Sequence, residues 1–262
     1  MISSNAPKDK ETFVWIWLTD ETKPVVAGRL EVDSSHGQGS ILFNYGKSYL
    51  GRVGSQPAAM PIYEPELPLQ AGVLPLLAGL TMPGCIRDAA PDAWGRRVII
   101  NKKLGLKGAD TDTAEPDELT YLLESGSDRI GALDFQRSST EYVPRSANNV
   151  SMEELIESAE RVEKGIPLMP ELDQALFHGS SIGGARPKAI LSKNFNTNEY
   201  AYAYEHKEDF IQIIVKFDMI DPDKGTALEY GKIEYCYHKM TLAAKIEMSA
   251  CGVFYTDDKS HF

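Results

Sequence analysis

Residues 179–191 place a Gly-Gly pair directly before an apolar run, and this order restricts the fold of the second half of the chain. Glycine adopts backbone conformations with positive φ and lets the main chain approach a ligand closely. Consecutive backbone N–H groups in such a turn form a concavity that binds anions, and Arg186 and Lys188 add positive charge beside it. The segment predicts either a phosphate-holding loop or an ordinary glycine-containing hairpin turn, because short Gly-rich motifs alone do not separate the two.

The composition limits which classes of protein this chain can belong to. The 262 residues are 42% hydrophobic and 25% charged, which is typical of a globular protein with one large domain or two ordinary ones. The formal net charge of −11 argues against a general nucleic-acid-binding surface, which needs a basic face. The sequence contains neither an apolar run of membrane-spanning length nor an N-terminal signal-peptide core. We therefore expect a cytoplasmic protein that binds neither a membrane nor nucleic acid directly.

The cysteines and histidines show no spacing typical of metal ligands. Cys85, Cys236 and Cys251 are odd in number and far apart, so reduced thiols are the expectation. No metal site built from protein side chains alone is predicted.

The first half of the chain predicts an antiparallel β meander followed by helices. Runs rich in β-branched and aromatic residues predict three strands, at residues 12–18, 25–32 and 39–45, with residues 49–50 continuing the third. Leucine-rich or proline-flanked segments predict three helices, beginning near Val73, at residues 91–104 and at residues 115–124. In the second of these, Trp94, Val98 and Asn101 share one face at spacings i, i+4 and i+7. A short strand is expected to end at Phe135.

The domain boundaries follow from the polar stretches. Residues 1–11 predict a flexible tail, and residues 138–150, which are polar and contain Pro144, predict a linker. The chain is thereby divided into subdomains at residues 12–137 and 151–262.

The second half predicts a small sheet and two helices. Ser151 and Glu154 form a capping-box pattern for a helix that ends at Gly165, and Thr226 with Glu229 predicts another that ends near residue 246. Strand-like runs occupy residues 188–192, 200–205, 209–217 and 252–255, and another begins at residues 261–262. Apolar residues of the last helix recur at helical spacing: Tyr230, Ile233, Tyr237, Met240 and Ala244.

Lys216 is flanked by apolar strand residues, and its ammonium must reach water or a partner. Glu234, on the following helix, is a candidate partner. A strand lysine oriented by a helix glutamate holds nucleotide phosphates in the amino-terminal lobe of a protein kinase. The alternative is an edge-strand lysine and an unrelated surface glutamate.

Taken with the upstream glycine segment, the chain resembles the HipA family, the serine/threonine kinase toxins of bacterial type II toxin–antitoxin pairs. The resemblance is carried by residues 50–68, 91–97 (PDAWGRR), 127–133 (SDRIGAL), 180–188 (SSIGGARPK) and 214–217 (IVKF). It implies an α+β fold, with an N-terminal β meander or barrel-like subdomain before a kinase-like N-lobe of antiparallel sheet and helix.

The resemblance also implies roles for individual residues. Ser181 matches a serine that such kinases autophosphorylate, which switches activity off, and Ser180 is the neighbouring alternative. Lys216 matches the lysine that contacts the phosphates of ATP, and Glu234 the residue that orients it. The implied nucleotide-binding set is Ser181, Ile182, Gly183, Gly184, Ala185, Arg186, Lys188 and Lys216.

The chain departs from the family pattern because it contains no His-Arg-Asp-like or Asp-Phe-Gly-like segment. The carboxy-terminal lobe, with its catalytic and metal-binding aspartates, is therefore expected to be absent. ATP and Mg²⁺ are implied by resemblance, but we expect this chain alone to lack kinase activity. A fragment of a longer kinase, a shortened remnant and one chain of a split system remain open.

Two functions follow from these expectations. The first is part of a kinase that phosphorylates a protein of the translation apparatus, such as an aminoacyl-tRNA synthetase. The second is a non-catalytic module that docks a HipB-like helix-turn-helix antitoxin or a separately encoded kinase C-lobe.

Overall fold

The fold is α+β, with ten strands and six helices in the part of the chain described by the computed structural model. The described residues are 10–33, 39–52, 54–104, 116–127, 129, 131–145, 151–168, 184–194, 196–197, 200–201, 209–221, 223–256 and 259–262. The strands are β1 (Glu11–Ile16), β2 (Val25–Asp33), β3 (Ser40–Tyr45), β4 (Val73–Leu74), β5 (Leu133–Gln136), β6 (Lys188–Asn194), β7 (Tyr200–Ala201), β8 (Phe210–Lys216), β9 (Phe254–Thr256) and β10 (Lys259–His261). The helices are α1 (Lys47–Leu50), α2 (Gly84–Asp88), α3 (Ala93–Leu104), α4 (Glu118–Glu124), α5 (Met152–Glu163) and α6 (Tyr230–Ala243).

The chain divides into two compact units, each made of two separate segments. The first unit comprises residues 1–91 and 114–145, and the second comprises residues 92–113 and 146–262.

The first unit is built on a five-stranded antiparallel sheet in the order β4-β3-β2-β1-β5. Alternate residues of β3 are buried, as expected for a strand with one face on a core. That core contains Val14, Leu30, Phe43 and Phe135, each with no exposed surface.

The second unit contains a three-stranded antiparallel sheet in the order β7-β6-β8 and the β9-β10 hairpin. Helices α3 and α5 pack on each other. Trp94, Val98 and Leu155 from these helices share a hydrophobic core with Val215 and Phe217, at and just after the end of β8. This core holds the strands that carry Lys188 and Lys216.

Several predicted elements are confirmed. Helix α3 lies where residues 91–104 predicted it, and its shared face of Trp94, Val98 and Asn101 is buried. Ser151 begins α5 with both hydrogen bonds of a capping box. The predicted tail lies almost wholly outside the described residues, as do residues 202–205 of a predicted strand.

Two short predictions in the first half are wrong. Residues 49–50 do not continue β3 but belong to α1, where the amide of Leu50 donates to Gly46 O at 3.0 Å and the Tyr49 ring stacks on Tyr45. The segment beginning at Val73 is strand β4 rather than a helix, because it pairs with the open edge of β3.

The predicted capping box of Thr226 and Glu229 is also wrong. Helix α6 begins at Tyr230, and its N-cap Glu229 has a left-handed φ of 56° and makes no side-chain cap. The carboxylate of Asp218 serves instead, accepting from the amides of Glu229 and Tyr230 at 3.1 Å each. A distant residue replaces the local cap.

The unit boundaries differ from the expected ones in two places. Helix α3 belongs to the second unit. Residues 138–145, part of the expected linker, pack within the first unit, where Ser138 O accepts from Trp15 Nε1 at 2.9 Å and Arg145 donates to the buried Asp134 at 2.8 Å. The composition of residues 138–145 shows that the segment is polar, but it does not show that these residues bond to buried groups of the first unit.

Within the described residues, every helix is too short or too polar to cross a membrane.

Candidate functional site

The register of β6 and β8 places two lysines opposite each other. Lys188 begins β6 and pairs with Lys216 at the end of β8. Residues directly opposite in an antiparallel pair are neighbours on the same sheet face, and two like charges there favour an anionic partner. The Gly184–Lys188 segment, which ends at the first residue of β6, therefore lies next to Lys216, the lysine predicted to contact phosphates.

Glu234 on α6 is the carboxylate partner of Lys216. The Lys216 ammonium donates to Glu234 Oε2 at 2.6 Å, and the Arg186 guanidinium donates to the other oxygen, Oε1. Arg186 also donates from Nε to Phe217 O at 2.9 Å, which fixes its guanidinium beside the end of β8. Charge-assisted bonds of this kind are the stronger hydrogen bonds of proteins. One carboxylate thus holds two cations in place.

The ion pair remains accessible to solvent, and an incoming ligand can reach it. The side chains of Lys216 and Glu234 are 36% and 32% exposed. The Lys216 ammonium also lies 5.4 Å from the centre of the Phe262 ring. An ion pair at this exposure contributes little to the free energy of folding. Its stabilising effect therefore does not explain why the two charged groups are paired here.

A third cation, Lys188, lies deeper. Lys188 is 3% exposed, and its ammonium donates to Gly184 O at 2.9 Å. Burial is the main reason that the pKa of Lys188 falls to about 8, and the neighbouring positive charges of Lys216 and Arg186 lower it further. Asp92 opposes this shift of the Lys188 pKa.

Helix α6, which carries Glu234, is anchored at its first turn by Asp218 and β10. Asp218 follows Phe217 immediately after β8 and is 4% exposed. Its carboxylate accepts from the first amides of α6 and from the Ser260 amide at 3.1 Å. A Cβ on Gly231 would lie 2.2 Å from Ser260 O, so only glycine permits this close approach of helix and strand.

Phe262, which follows β10, pairs with Lys216 at the end of β8. The Lys216 amide donates to Phe262 O at 2.7 Å, and the Phe262 amide donates to Lys216 O at 3.0 Å. His261 is fully buried, and its Nδ1 accepts from the Asp218 amide at 3.1 Å. Burial, the largest cause, lowers the pKa of His261 to about 4, although the nearby Asp218 charge opposes the shift.

The structure places Arg186, Lys188, Lys216 and Glu234, four of the residues named in the sequence analysis, close together. Gly184 has φ 102°, in the region that favours glycine, and Ala185 is an exposed bend residue beside it. Ser181, Ile182 and Gly183, together with the alternative acceptor Ser180, lie outside the described residues.

Three polar residues of the site were missed in the sequence. Asp92 accepts the Gly184 amide at 2.5 Å, Asp218 caps α6, and His261 supports Asp218. Asp92 lies in the PDAWGRR segment, and Asp218 follows an apolar strand and Phe217. Neither pattern predicts which residue elsewhere in the chain the carboxylate bonds to. The bond from Gly184 to Asp92 joins residues 92 positions apart, the bond between Asp218 and His261 joins residues 43 apart, and the cap of Tyr230 by Asp218 joins residues 12 apart.

The described donors fit a phosphate group better than a metal ion. Three cations lie close together, and the Gly184 amide beside them is bonded to Asp92, whereas no cluster of three or more His, Cys, Asp or Glu side chains able to hold a metal occurs among the described residues. Mg²⁺ usually takes substrate phosphates and waters among its ligands, so we assign it no residue of the described part.

No family model, curated protein or solved structure matches this chain.

Proposed function

We propose that the second unit binds the phosphates of ATP as the amino-terminal lobe of a HipA-like serine/threonine kinase. The observation that supports this most directly is the 2.6 Å ion pair between Lys216 on a strand and Glu234 on the next helix, beside a glycine-containing turn with two further cations. Strand lysine, helix glutamate and glycine loop are the parts with which kinases position nucleotide phosphates.

In this proposal, Glu234 orients the Lys216 ammonium toward the ligand and keeps Arg186 beside it. Lys188, which is buried opposite Lys216, adds positive charge next to it. Mg²⁺ bound with the nucleotide would supply charge neutralisation at the phosphates. The residues of this chain bind and orient the phosphates, and none of those described is assigned to proton transfer.

Phosphoryl transfer to a protein also needs a base that orients the attacking hydroxyl. We propose that this base lies in a carboxy-terminal lobe, supplied by further chain or by a separate partner. The proposed reaction is phosphorylation of a serine or threonine in a cytoplasmic protein of the translation apparatus, such as an aminoacyl-tRNA synthetase. Ser181 is the proposed site of inhibitory autophosphorylation.

The test is ATP binding to the 262-residue chain, measured by calorimetry with Mg²⁺ present. Lys216→Ala removes the cation proposed to contact the phosphates, and we expect affinity to fall by about ten- to one-hundredfold, the worth of a hydrogen bond to a charged group. Lys224→Ala is the matched control, because that lysine is 75% exposed and pairs with Asp221 in a turn of the same unit. Equal binding by both variants, or no binding by the parent, would contradict the proposal.

An exposed apolar face on α6 favours a second candidate function, a docking module for a separately encoded kinase C-lobe. Ile233, Tyr237 and Met240 recur at helical spacing and are 46%, 63% and 58% exposed. Co-purification of such a C-lobe with the parent chain, and its loss in an Ile233→Glu, Met240→Glu double variant, would support this function. Co-purification unaffected by the double variant would exclude this face.

A further inference from the structure

The N-terminus of α3 is joined to the glycine segment through both oxygens of one carboxylate. Asp92 Oδ1 accepts from the Ala93 amide at 2.7 Å, at the start of the helix, and Oδ2 accepts from the Gly184 amide at 2.5 Å. These two bonds are the main cause of the lowered pKa of Asp92. Asp92 therefore connects the first amide of a rigid helix to a loop residue 92 positions away.

Trp94 completes the attachment from the same turn of α3. Its amide donates to Gly184 O at 3.2 Å, and its indole Nε1 donates to Lys188 O at 3.1 Å. Trp94 has no exposed surface, so its ring is held by the core of the second unit. The two ends of the Gly184–Lys188 segment are thus both bonded to α3, and the segment carries Arg186 between them.

We propose that Asp92 is a positioning residue that, with Trp94, holds the Gly184–Lys188 segment in the conformation that presents Arg186 and Lys188 to a phosphate group. The phosphate part rests on the proposed function, whereas the positioning part does not. Asp92 acts through Gly184 and through its charge near Lys188, without itself touching the ligand.

The geometry requires a carboxylate rather than an amide. The Ala93 and Gly184 amides bond to different oxygens of Asp92, and asparagine replaces one of these oxygens with an NH2 group, which cannot accept from the amide that it faces. It also removes the negative charge that opposes deprotonation of Lys188. Asp92→Asn therefore loses one bond of the attachment and lowers the pKa of the buried Lys188 further.

The competing role for Asp92 is that of an internal anion which occupies the Gly184 amide in place of a phosphate. The two roles predict opposite changes in ATP affinity when Asp92 is replaced. Removal of a positioning residue weakens ATP binding, whereas removal of a competitor strengthens it, because an amide is freed and a negative charge is lost beside three cations.

The experiment compares Asp92→Asn with Asp223→Asn in the 262-residue chain. Asp223 is an exposed turn residue of the same unit, so its variant removes the same charge from another place. We expect exchange of the Gly184 amide, followed by NMR, to speed up about tenfold in Asp92→Asn, and ATP with Mg²⁺ to bind about three- to tenfold more weakly, which is the worth of one hydrogen bond. Asp223→Asn should change neither quantity.

A pH series separates positioning from a general loss of structure. Without the Asp92 charge, the midpoint at which ATP binding weakens in alkali should move below its parent value near pH 8, because Lys188 loses its proton more easily. Asp92→Glu keeps the charge, and it should restore that midpoint even if the longer side chain leaves the Gly184 amide less protected.

Tighter ATP binding by Asp92→Asn, or unchanged exchange of the Gly184 amide, would overturn the positioning role. If the parent chain binds no ATP but the Gly184 amide loses protection in Asp92→Asn, the nucleotide proposal fails and the attachment of the loop by Asp92 is supported.

Discussion

Individual charges in the second unit are arranged so that three carboxylates face three cations. Glu234 divides its oxygens between Lys216 and Arg186, Asp218 also acts on the charge of Arg186, and Asp92 lies near Lys188. These six side chains therefore carry no net charge when all are ionised. Each cation has a carboxylate nearby, which avoids the cost of an unpaired buried charge.

Lys188 gives this site a pH dependence. Because its pKa is about 8, its ammonium loses its proton as the pH rises through that value, and a cation beside the ligand is lost. We expect ATP affinity to fall by about three- to tenfold between pH 7 and pH 9, a modest share of a charge-assisted contact. Calorimetric titrations at several pH values measure this change.

The control is Lys188→Met, which keeps the length of the apolar side chain and removes the charge. This variant should show the low alkaline affinity at every pH. A parent chain whose affinity is constant from pH 7 to pH 9 would contradict the role given to Lys188.

His261 makes the folded state sensitive to acid. Its pKa is about 4 in the folded protein and about 6.5 in an unfolded chain, so between these values the unfolded state binds more protons. Stability is therefore greatest above about pH 6.5 and falls as the pH drops toward 4, by up to about 3 kcal/mol from this residue. Denaturant unfolding at pH 7, 6, 5 and 4.5 measures the loss.

Burial is the largest cause of the lowered pKa of His261. Its ring is also bonded on both sides, because Nδ1 accepts from the Asp218 amide and Nε2 lies 2.6 Å from Thr256 Oγ1. A proton on Nδ1 would break the first bond. His261→Gln removes the titrating group, so the variant should be less stable at pH 7 but lose less stability on acidification. The same acid-induced loss in parent and variant would assign it to other groups.

At the scale of elements, the position of α6 depends on how closely the helix approaches β10. Gly231 faces the main chain of Ser260, and Asp218 bonds to both elements. The helix is held at its first turn, and Glu234 lies one turn further on. Small shifts at this junction should therefore move the carboxylate that pairs with Lys216.

Gly231→Ala tests this junction. The new Cβ would lie 2.2 Å from Ser260 O, a main-chain atom that cannot rotate away. We expect a loss of about 1–3 kcal/mol, the usual cost of overpacking, and weaker ATP binding because α6 must move. Thermal unfolding and calorimetry measure the two effects. Gly252→Ala is the control, since nothing lies within 4 Å of its added Cβ.

A Gly231→Ala variant with the stability and ATP affinity of the parent would show that α6 is not positioned by its contact with β10.

At the scale of the whole molecule, the two units are each discontinuous in sequence, because α3 belongs to the unit that otherwise begins at residue 146. Trp94 and Val98 of α3 are almost completely buried in the core of that unit. Loss of a buried tryptophan typically costs about 3–5 kcal/mol, a large part of the stability of an ordinary domain.

A polypeptide of residues 146–262 should therefore fail to fold. A second polypeptide, in which residues 92–113 are joined to residues 146–262 by a flexible linker, should recover a cooperative unfolding transition, because it contains every member of that core. Circular dichroism and dispersion of amide resonances compare the two. Equal folding of both polypeptides would show that α3 is not needed by the second unit.

The local pattern of the sequence was sufficient for elements whose signals are local. The capping box at Ser151, the buried face of α3 and the order of strands and helix around Lys216 follow from spacing along the chain. Such features depend on residues within one or two turns, where helical or strand geometry alone sets which side chains meet.

The tertiary structure decided the features that join distant segments. The pairing of Val73 with β3, the capping of α6 by Asp218 and the bond from Asp92 to Gly184 all depend on partners far away in sequence. Composition and periodicity carry no signal for them, because a backbone amide can be satisfied by any acceptor that the fold brings near. The sequence by itself determined the candidate residues Arg186, Lys188, Lys216 and Glu234, and the packing of α3, β8 and β10 decided how their charges are held together.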